Sequence, residues 1–138
     1  MDKRKSQRQL AVLDKTDLES LSQFRYALRR FLRYSEEVTQ AAGTTPLQYS
    51  LLLHVGGMPG RSWATVGELA ERLQSAPNGT VALVSRCERA GLVIRQAGEG
   101  DRRHVEVHLT AKGERCLNKL ACLHMNEIKA FRQILAEI

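Results

Sequence analysis

The chain has 138 residues, of which 43% are hydrophobic and 26% charged, and its formal net charge is +6. This length is typical of a single domain that buries its own core. No apolar run approaches the roughly 20 residues that span a bilayer, and no signal-peptide pattern opens the chain. Three cysteines without metal-type spacing favour a reducing compartment. We therefore expect a cytoplasmic protein without membrane association.

The basic charge is unevenly distributed. Residues 1–33 hold nine Lys or Arg and four Asp or Glu, whereas residues 61–110 hold seven and six. A basic protein has a general tendency to bind polyanions, but the central segment is nearly neutral. The placement of single arginines therefore decides any hypothesis of nucleic-acid binding.

The N-terminal third predicts a tail and one long helix. Residues 1–16 have the composition of a flexible basic tail. From about Asp17 to Ala42, apolar or small residues recur every three or four positions, as on one face of a helix. That face comprises Leu21, Phe24, Leu28, Phe31, Ser35, Val38 and Ala42. Gly43 is predicted to end the helix.

Three shorter helices are predicted next from start and stop signals. Thr45 and Gln48 form a capping box around Pro46, and the helix ends at Gly56-Gly57, before a loop from Met58 to Ala64. Thr65 and Glu68 form a second box, and the fourth helix follows Ser75-Ala76-Pro77-Asn78 and stops at Gly91. The predicted inner residues of the three helices are Leu47, Leu51, Leu52 and Val55; Val66, Leu69, Ala70 and Leu73; and Val81, Val84 and either Cys87 or Leu83.

Residues 92–109 predict a two-stranded ribbon. Val105, Val107 and Leu109 alternate with His104, Glu106 and His108, which is the period of a strand. Residues 92–95 predict its partner, and Gly98 and Gly100 the turn. The tip carries Arg102 and Arg103, whose guanidinium groups suit a DNA minor groove. Thr110 then caps a last long helix.

These elements define a mainly α fold of the α+β type. Residues 45–110 form a winged helix-turn-helix with a two-stranded β wing, inside one domain of residues 17–138. Residues 17–44 and 111–138 form long terminal helices. Because their apolar faces exceed what the central segment can cover, we expect them to pair with each other and with a second subunit.

Several motifs in order resemble the MarR family of bacterial transcriptional regulators. They are Thr65-Val66-Gly67-Glu68-Leu69-Ala70-Glu71-Arg72-Leu73, then Val84-Ser85-Arg86-Cys87-Glu88-Arg89-Ala90-Gly91-Leu92-Val93, then Asp101-Arg102-Arg103 followed by Leu109-Thr110-Ala111-Lys112-Gly113. Residues 24–33 and 45–49 also look like the first two helices of that family, so the resemblance covers roughly residues 17–125.

The resemblance implies a homodimer that binds a pseudo-palindromic operator in double-stranded DNA, as a repressor released by a small-molecule effector. It implies that Arg103 enters the minor groove, oriented by Asp101; the plainer alternative makes both ordinary turn residues. The predicted DNA-binding residues are Thr65, Ser75, Pro77, Asn78, Gly79, Thr80, Ser85, Arg86, Asp101, Arg102 and Arg103. The predicted dimer interface comprises Leu21, Phe24, Leu28, Leu117, His124, Ile128, Phe131 and Leu135.

Two features depart from the family pattern. The start of the fourth helix is poor in arginine, so Asn78 and Thr80 are the best candidates for base edges, and Ser85 or Arg86 for phosphate. Gly79 either permits close backbone approach or only weakens the first turn. The chain stops at Ile138, where many relatives continue, so we expect a smaller or differently built dimer interface.

The sequence offers little support for an enzyme or a metal site, and it leaves two other functions open. No phosphate loop or nucleophile elbow indicates an enzyme, and His104 and His108 alone do not make a metal site, so we expect no cofactor or metal. Redox regulation through Cys87, Cys116 or Cys122 is an alternative, as is a winged-helix adaptor that binds protein. An effector pocket between the dimer body and the winged domain is expected to draw on Tyr26, Tyr34, Tyr49, His54 and Trp63, each equally explicable as packing.

Overall fold

The structure, a computed structural model, describes residues 12–98 and 101–138, with the backbone alone at residues 101–103. Residues 1–11 of the tail predicted for residues 1–16, and the predicted turn residue Gly100, lie outside the described residues. Five helices and three strands form the described part. In chain order they are α1 Lys15–Ala41, α2 Pro46–Gly56, β1 Trp63–Thr65, α3 Val66–Leu73, α4 Pro77–Arg89, β2 Val93–Gly98, β3 Asp101–Leu109 and α5 Ala111–Glu137.

Local capping sets the start of most helices. Thr45 and Thr65 each accept a hydrogen bond from the backbone N–H three residues on, within complete capping boxes, and Thr110 caps α5. Helix α1 begins two residues before the predicted Asp17, because Asp14 and Asp17 form a further capping box. Lys15 and Thr16, predicted as tail, are therefore helical.

The sheet has three antiparallel strands in the order β1-β3-β2, so the prediction of two strands was incomplete. Trp63 to Thr65, predicted as the end of a loop and a helix cap, pair with His108 to Glu106 of β3. On its other side β3 pairs with β2, in a register that places Val93 opposite Leu109. The ribbon is thus anchored by a strand that precedes α3.

One buried core joins the helix-turn-helix to the base of the ribbon. It contains Leu51, Leu52, Val55, Met58, Ala64, Leu69, Leu83, Val84, Cys87, Leu92, Val93 and Val107. Two predicted inner residues are exposed instead: Leu47 is 59% exposed and Val81 is 44% exposed. The inward position of α4 is taken by Thr80, which is fully buried.

The long helices α1 and α5 pack together beside this core. Buried His124 lies between them and α2: its Nε2 is 2.9 Å from the Ser35 hydroxyl, and its ring stacks on Tyr49 at 4.3 Å between centroids. The predicted dimer residue His124 is therefore a contact within the chain. Phe24 and Phe131, also predicted at the dimer interface, contact each other across the two helices at 6.5 Å between centroids.

Candidate nucleic-acid interface

Helices α3 and α4 form the helix-turn-helix, and a tight turn connects them. Gln74 ends α3 in the left-handed conformation, with φ of 52°, and its side-chain amide donates to the Glu71 carbonyl over 2.6 Å. Ala76 then precedes Pro77, which occupies the first helical position of α4. The fixed φ of proline suits that position and defines where α4 begins.

The first turn of α4 presents an exposed surface of small and polar residues. Pro77, Asn78 and Gly79 are all exposed, and a Cβ added at Gly79 would meet no atom within 4 Å. Ser75 is exposed just before the helix. An amide side chain at Asn78 can read a base edge through paired hydrogen bonds, so its position agrees with the predicted role.

The prediction that Thr80 contacts a base edge is wrong, because the residue is not exposed. Its side chain is fully buried, and its hydroxyl is 2.7 Å from the Ser75 hydroxyl and donates to the Ala76 carbonyl over 3.0 Å. Because α4 lacks a side-chain cap at Ala76, these bonds reinforce its first turn from inside. Thr80 therefore supports the exposed turn rather than facing a ligand.

The wing strand β2 is tied to α4 through Arg95. The Arg95 guanidinium donates to the Val81 carbonyl over 3.3 Å and to the Ser85 hydroxyl over 2.5 Å. It also lies 3.5 Å from the Glu88 carboxylate, which accepts the Arg95 backbone N–H. Ser85, one of the two residues predicted to bind phosphate, thus accepts a hydrogen bond from Arg95. The other, Arg86, is exposed on the same helix. Arg95 is not among the residues predicted from the sequence, because its partners belong to a different element.

A second cluster covers the base of the wing. Arg61 forms an ion pair with Glu68 and lies over the Trp63 ring at 4.2 Å from its centroid. Burial alone would raise the pKa of Glu68, but the hydrogen bonds from Arg61 and Thr65 outweigh it and leave that pKa lowered. The predicted site residue Thr65 is half-buried and uses its hydroxyl to cap α3.

The polar face of β3 packs on this cluster. His108 Nε2 is 2.9 Å from the Glu106 carboxylate, and the rings of His104 and His108 lie 5.6 and 6.3 Å from Trp63. Residues of the chain itself therefore cover part of this face. Within residues 12–98 and 104–138, no group of three His, Cys, Asp or Glu is arranged to hold a metal ion.

The predicted wing-tip residues lie at the start of β3. The backbone of Asp101 pairs with Gly98, next to a register irregularity between Ala97 and Gly98. Arg102 and Arg103 follow in the same strand. Their place in the strand agrees with a ribbon tip, and their roles stay a prediction.

The aromatic residues named for an effector pocket do not share one cavity. Tyr34 and Tyr49 both contact His124, and Tyr34 donates to the Leu123 carbonyl over 2.7 Å. Tyr26 is exposed on α1, and Trp63 belongs to the wing base. His54 is half-buried on α2; burial, followed by the charge of Arg72, lowers its pKa. Tyr26 and Tyr34 line a common cavity on α1, and the role of the five residues in an effector pocket stays a prediction.

The described part of the chain has no helix that is both long and apolar enough to cross a membrane. Its helix-turn-helix, followed by a ribbon tied to α4, defines the class of winged helix-turn-helix proteins.

Comparison with known proteins supports that class and shows which family the chain resembles. The model of the MarR family matches residues 42–104. The chain is 28% identical to a MarR family protein of Bacillus stearothermophilus, with a TM-score of 0.69 over 92% of this chain and 81% of that one. The match to AbsC, a MarR family transcriptional regulator from Streptomyces coelicolor, has 23% identity and a TM-score of 0.76 over 88% and 81% of the two chains.

A protein that is similar in sequence is also described as a transcriptional regulator. The chain is 26% identical over 107 residues to the "Putative transcriptional regulatory protein for hcr operon" of Thauera aromatica. That alignment covers 78% of this chain, which spans 63% of the length of the relative. The resemblance drawn from the sequence motifs is thus confirmed: the chain has the winged helix-turn-helix fold and is similar to proteins of the MarR family.

Proposed function

We propose that the chain is a DNA-binding transcriptional regulator that acts in the cytoplasm as a homodimer. The observation that carries this proposal is the link from Arg95 to α4, which holds the wing and the exposed first turn of α4 in one rigid unit. Such a unit places a helix in the major groove while the ribbon reaches the adjacent minor groove. Asn78 is the proposed base-edge contact, and Arg103 the proposed minor-groove contact.

The dimer is proposed to use the outward apolar side chains of the long helices. Leu21 is 55% exposed on α1, and Ile128 and Leu135 are about 40% exposed on α5. Leu28 is half-buried, whereas Leu117 packs against the core of the winged domain. A second subunit that covers the exposed set would present two copies of α4 to successive grooves of one duplex.

The finer role is repression. A dimer that occupies an operator hinders polymerase, and an effector that shifts the spacing of the two α4 helices releases it. These steps are family properties that we extend to this chain as part of the proposal.

A second candidate, a protein-binding adaptor, is favoured by one observation. The exposed surface of α4 combines Val81 with Pro77 and lacks arginine in its first turn, so it is also a reasonable surface for protein contact.

The salt dependence of DNA binding distinguishes the regulator from the adaptor. We would measure fluorescence anisotropy of a random-sequence duplex at low and moderate salt, with the natural chain, an Arg103→Ala variant and an Arg29→Ala control on α1. Steep salt dependence, reduced by about one counterion in Arg103→Ala alone, supports the regulator. Binding that is indifferent to salt and to Arg103, or absent, supports the adaptor.

A further inference from the structure

A cavity of about 350 Å³ lies between the C-terminal end of α1, the end of α4 and the first turns of α5. We call it the basic cleft. One wall contains Thr44, Ala90 and Leu92, and the other contains Lys112, Arg115 and Lys119. Its volume is in the range of sites that hold small molecules. It lies between the helical body and the winged domain, although none of the aromatic residues named for such a pocket lines it.

The charged side chains that line the cleft are all basic. Lys112, Arg115 and Lys119 are spaced by three and four residues, so they share one face of α5 over about 10 Å. All three are exposed, and no carboxylate residue is among the described residues that line the cleft. The ion pairs formed within residues 12–98 and 104–138 include none with Arg115 or Lys119. Like charges on one helix face repel each other, and an anion with several charges relieves that repulsion.

The cleft is built around the junction between α4 and α5. Lys112 Nζ donates to the Ala90 carbonyl over 2.8 Å, and Thr110 Oγ1 donates to the Gly91 carbonyl over 2.6 Å. Ala90 is the residue that caps the C-terminal end of α4. The Lys112 ammonium therefore both lines the cleft and holds the end of the helix whose first turn is the proposed DNA contact.

We propose that the basic cleft binds a small polyvalent anion, with several carboxylate or phosphate oxygens, and that the anion draws the Lys112 ammonium away from the Ala90 carbonyl. A hydrogen bond between two ions is stronger than one from an ammonium to a neutral carbonyl, so the anion outcompetes it. The end of α4 loosens, and the affinity for DNA falls. The last step rests on the proposed function; the binding step and the loosening of α4 do not.

Binding is tested by titration calorimetry with inorganic pyrophosphate at constant ionic strength. The cleft variant is Arg115→Gln/Lys119→Gln, which leaves Lys112 in place. The matched control is Lys129→Gln/Arg132→Gln, which makes the same charge change further along α5. We expect pyrophosphate binding to weaken about tenfold or more in the cleft variant and less than about twofold in the control. Equal weakening in both variants, or no binding by the natural chain, overturns the proposal.

The effect on α4 is tested by amide hydrogen exchange without DNA. The Gly91 N–H donates to the Glu88 carbonyl and the Leu92 N–H to the Cys87 carbonyl at the end of α4. Pyrophosphate is expected to accelerate exchange of both amides in the natural chain and not in the cleft variant. Unchanged exchange in the natural chain refutes the coupling.

Coupling to DNA is measured separately by fluorescence anisotropy. Pyrophosphate is expected to weaken duplex binding about fivefold or more in the natural chain and to have no effect in the cleft variant. Equal weakening in both points to competition for the DNA surface and refutes the coupling. If the natural chain binds no DNA at all, the proposed function fails, whereas calorimetry and exchange still decide the inference about the cleft.

Discussion

The Arg95 guanidinium donates a hydrogen bond to the Val81 carbonyl over 3.3 Å, and so joins the wing strand β2 to helix α4. We expect Arg95→Ala to lower the free energy of unfolding by only about 1 kcal/mol, because the side chain is partly exposed. DNA binding should fall by more than this change in stability explains, since the wing loses its fixed position relative to α4. Urea unfolding and anisotropy measure the two effects.

Two further variants sharpen this test. Arg95→Lys should rescue little, because a single ammonium cannot reach Val81, Ser85 and Glu88 together. Gln96→Ala, at the next and exposed position of β2, serves as the control. Unchanged DNA affinity in Arg95→Ala would contradict a positioning role for this residue.

Gly79 is exposed, with open space where a Cβ would stand. We expect Gly79→Ala to raise the free energy of unfolding by about 0.5–1 kcal/mol, because alanine is the better helix former. DNA affinity should nevertheless fall, since the added methyl group blocks close approach of the backbone. Gly67→Ala on α3, also in open space, is the control and should leave DNA binding intact. If Gly79→Ala binds DNA like the natural chain, the glycine has no role in close approach.

Gly113, unlike Gly79, is packed closely against another part of the backbone. A Cβ at this position would overlap the Leu92 carbonyl, which belongs to the backbone and cannot move aside cheaply. Gly113→Ala should therefore lower the free energy of unfolding by at least about 2 kcal/mol, although alanine normally favours a helix. Thermal and urea unfolding, with Gly67→Ala for comparison, measure the difference. A neutral Gly113→Ala would show that α5 can shift away from Leu92.

His124 connects three helices from a position that is 5% exposed. Its Nδ1 is 2.7 Å from the Leu120 carbonyl, and its Nε2 faces the Ser35 hydroxyl. His124→Ala should lower the free energy of unfolding by about 2–3 kcal/mol, because it leaves a cavity beside Tyr49 and an unpaired hydroxyl. The exposed neighbour Asn126 provides the control, and Asn126→Ala should change stability by less than about 0.5 kcal/mol. Equal stability of both variants would contradict a packing role for His124.

The cysteines differ in burial, which bears on the redox alternative. Burial, with a smaller contribution from Cys116, raises the pKa of Cys87 to about 11. Because the thiolate is the reactive form, Cys87 should resist alkylation at neutral pH and gain reactivity only as the pH approaches 11 or the protein unfolds. Cys122 is exposed and should react first.

Mass spectrometry after timed alkylation distinguishes the three thiols. Rapid labelling of Cys87 in the folded protein at pH 7 would contradict its burial. The redox alternative also needs peroxide to change the affinity for DNA, and an unchanged affinity argues against it.

The sequence predicted the features that depend on local chemistry. The capping boxes at Thr45 and Thr65 involve partners three residues apart, so the residue pattern alone reveals them. The Thr110 cap and the stop near Gly91, whose φ is +75°, are equally local. The winged helix-turn-helix could therefore be derived from the order of its elements.

The errors concern contacts that the pattern of residue types does not show. Three residues, Trp63 to Thr65, are too few to show an alternating pattern, and they form a strand only because β3 supplies its hydrogen-bond partners. Thr80 looked like a surface residue, but Ser75 and Ala76 satisfy its hydroxyl inside the turn. His124 was assigned to a subunit contact because its position on the apolar face of α5 does not reveal Ser35 or Tyr49 beneath it.

Strand β1 runs directly into α3, with Thr65 as both the last strand residue and the helix cap. Strand β3, the central strand of the sheet, is thus hydrogen-bonded to the segment that starts the helix-turn-helix. Bending the ribbon toward or away from a bound molecule would therefore strain the N-terminal end of α3 as well as α4. The wing is therefore attached to the helix-turn-helix at two places, through β1 to α3 and through Arg95 to α4. We expect it to resist bending rather than to move as a hinged segment.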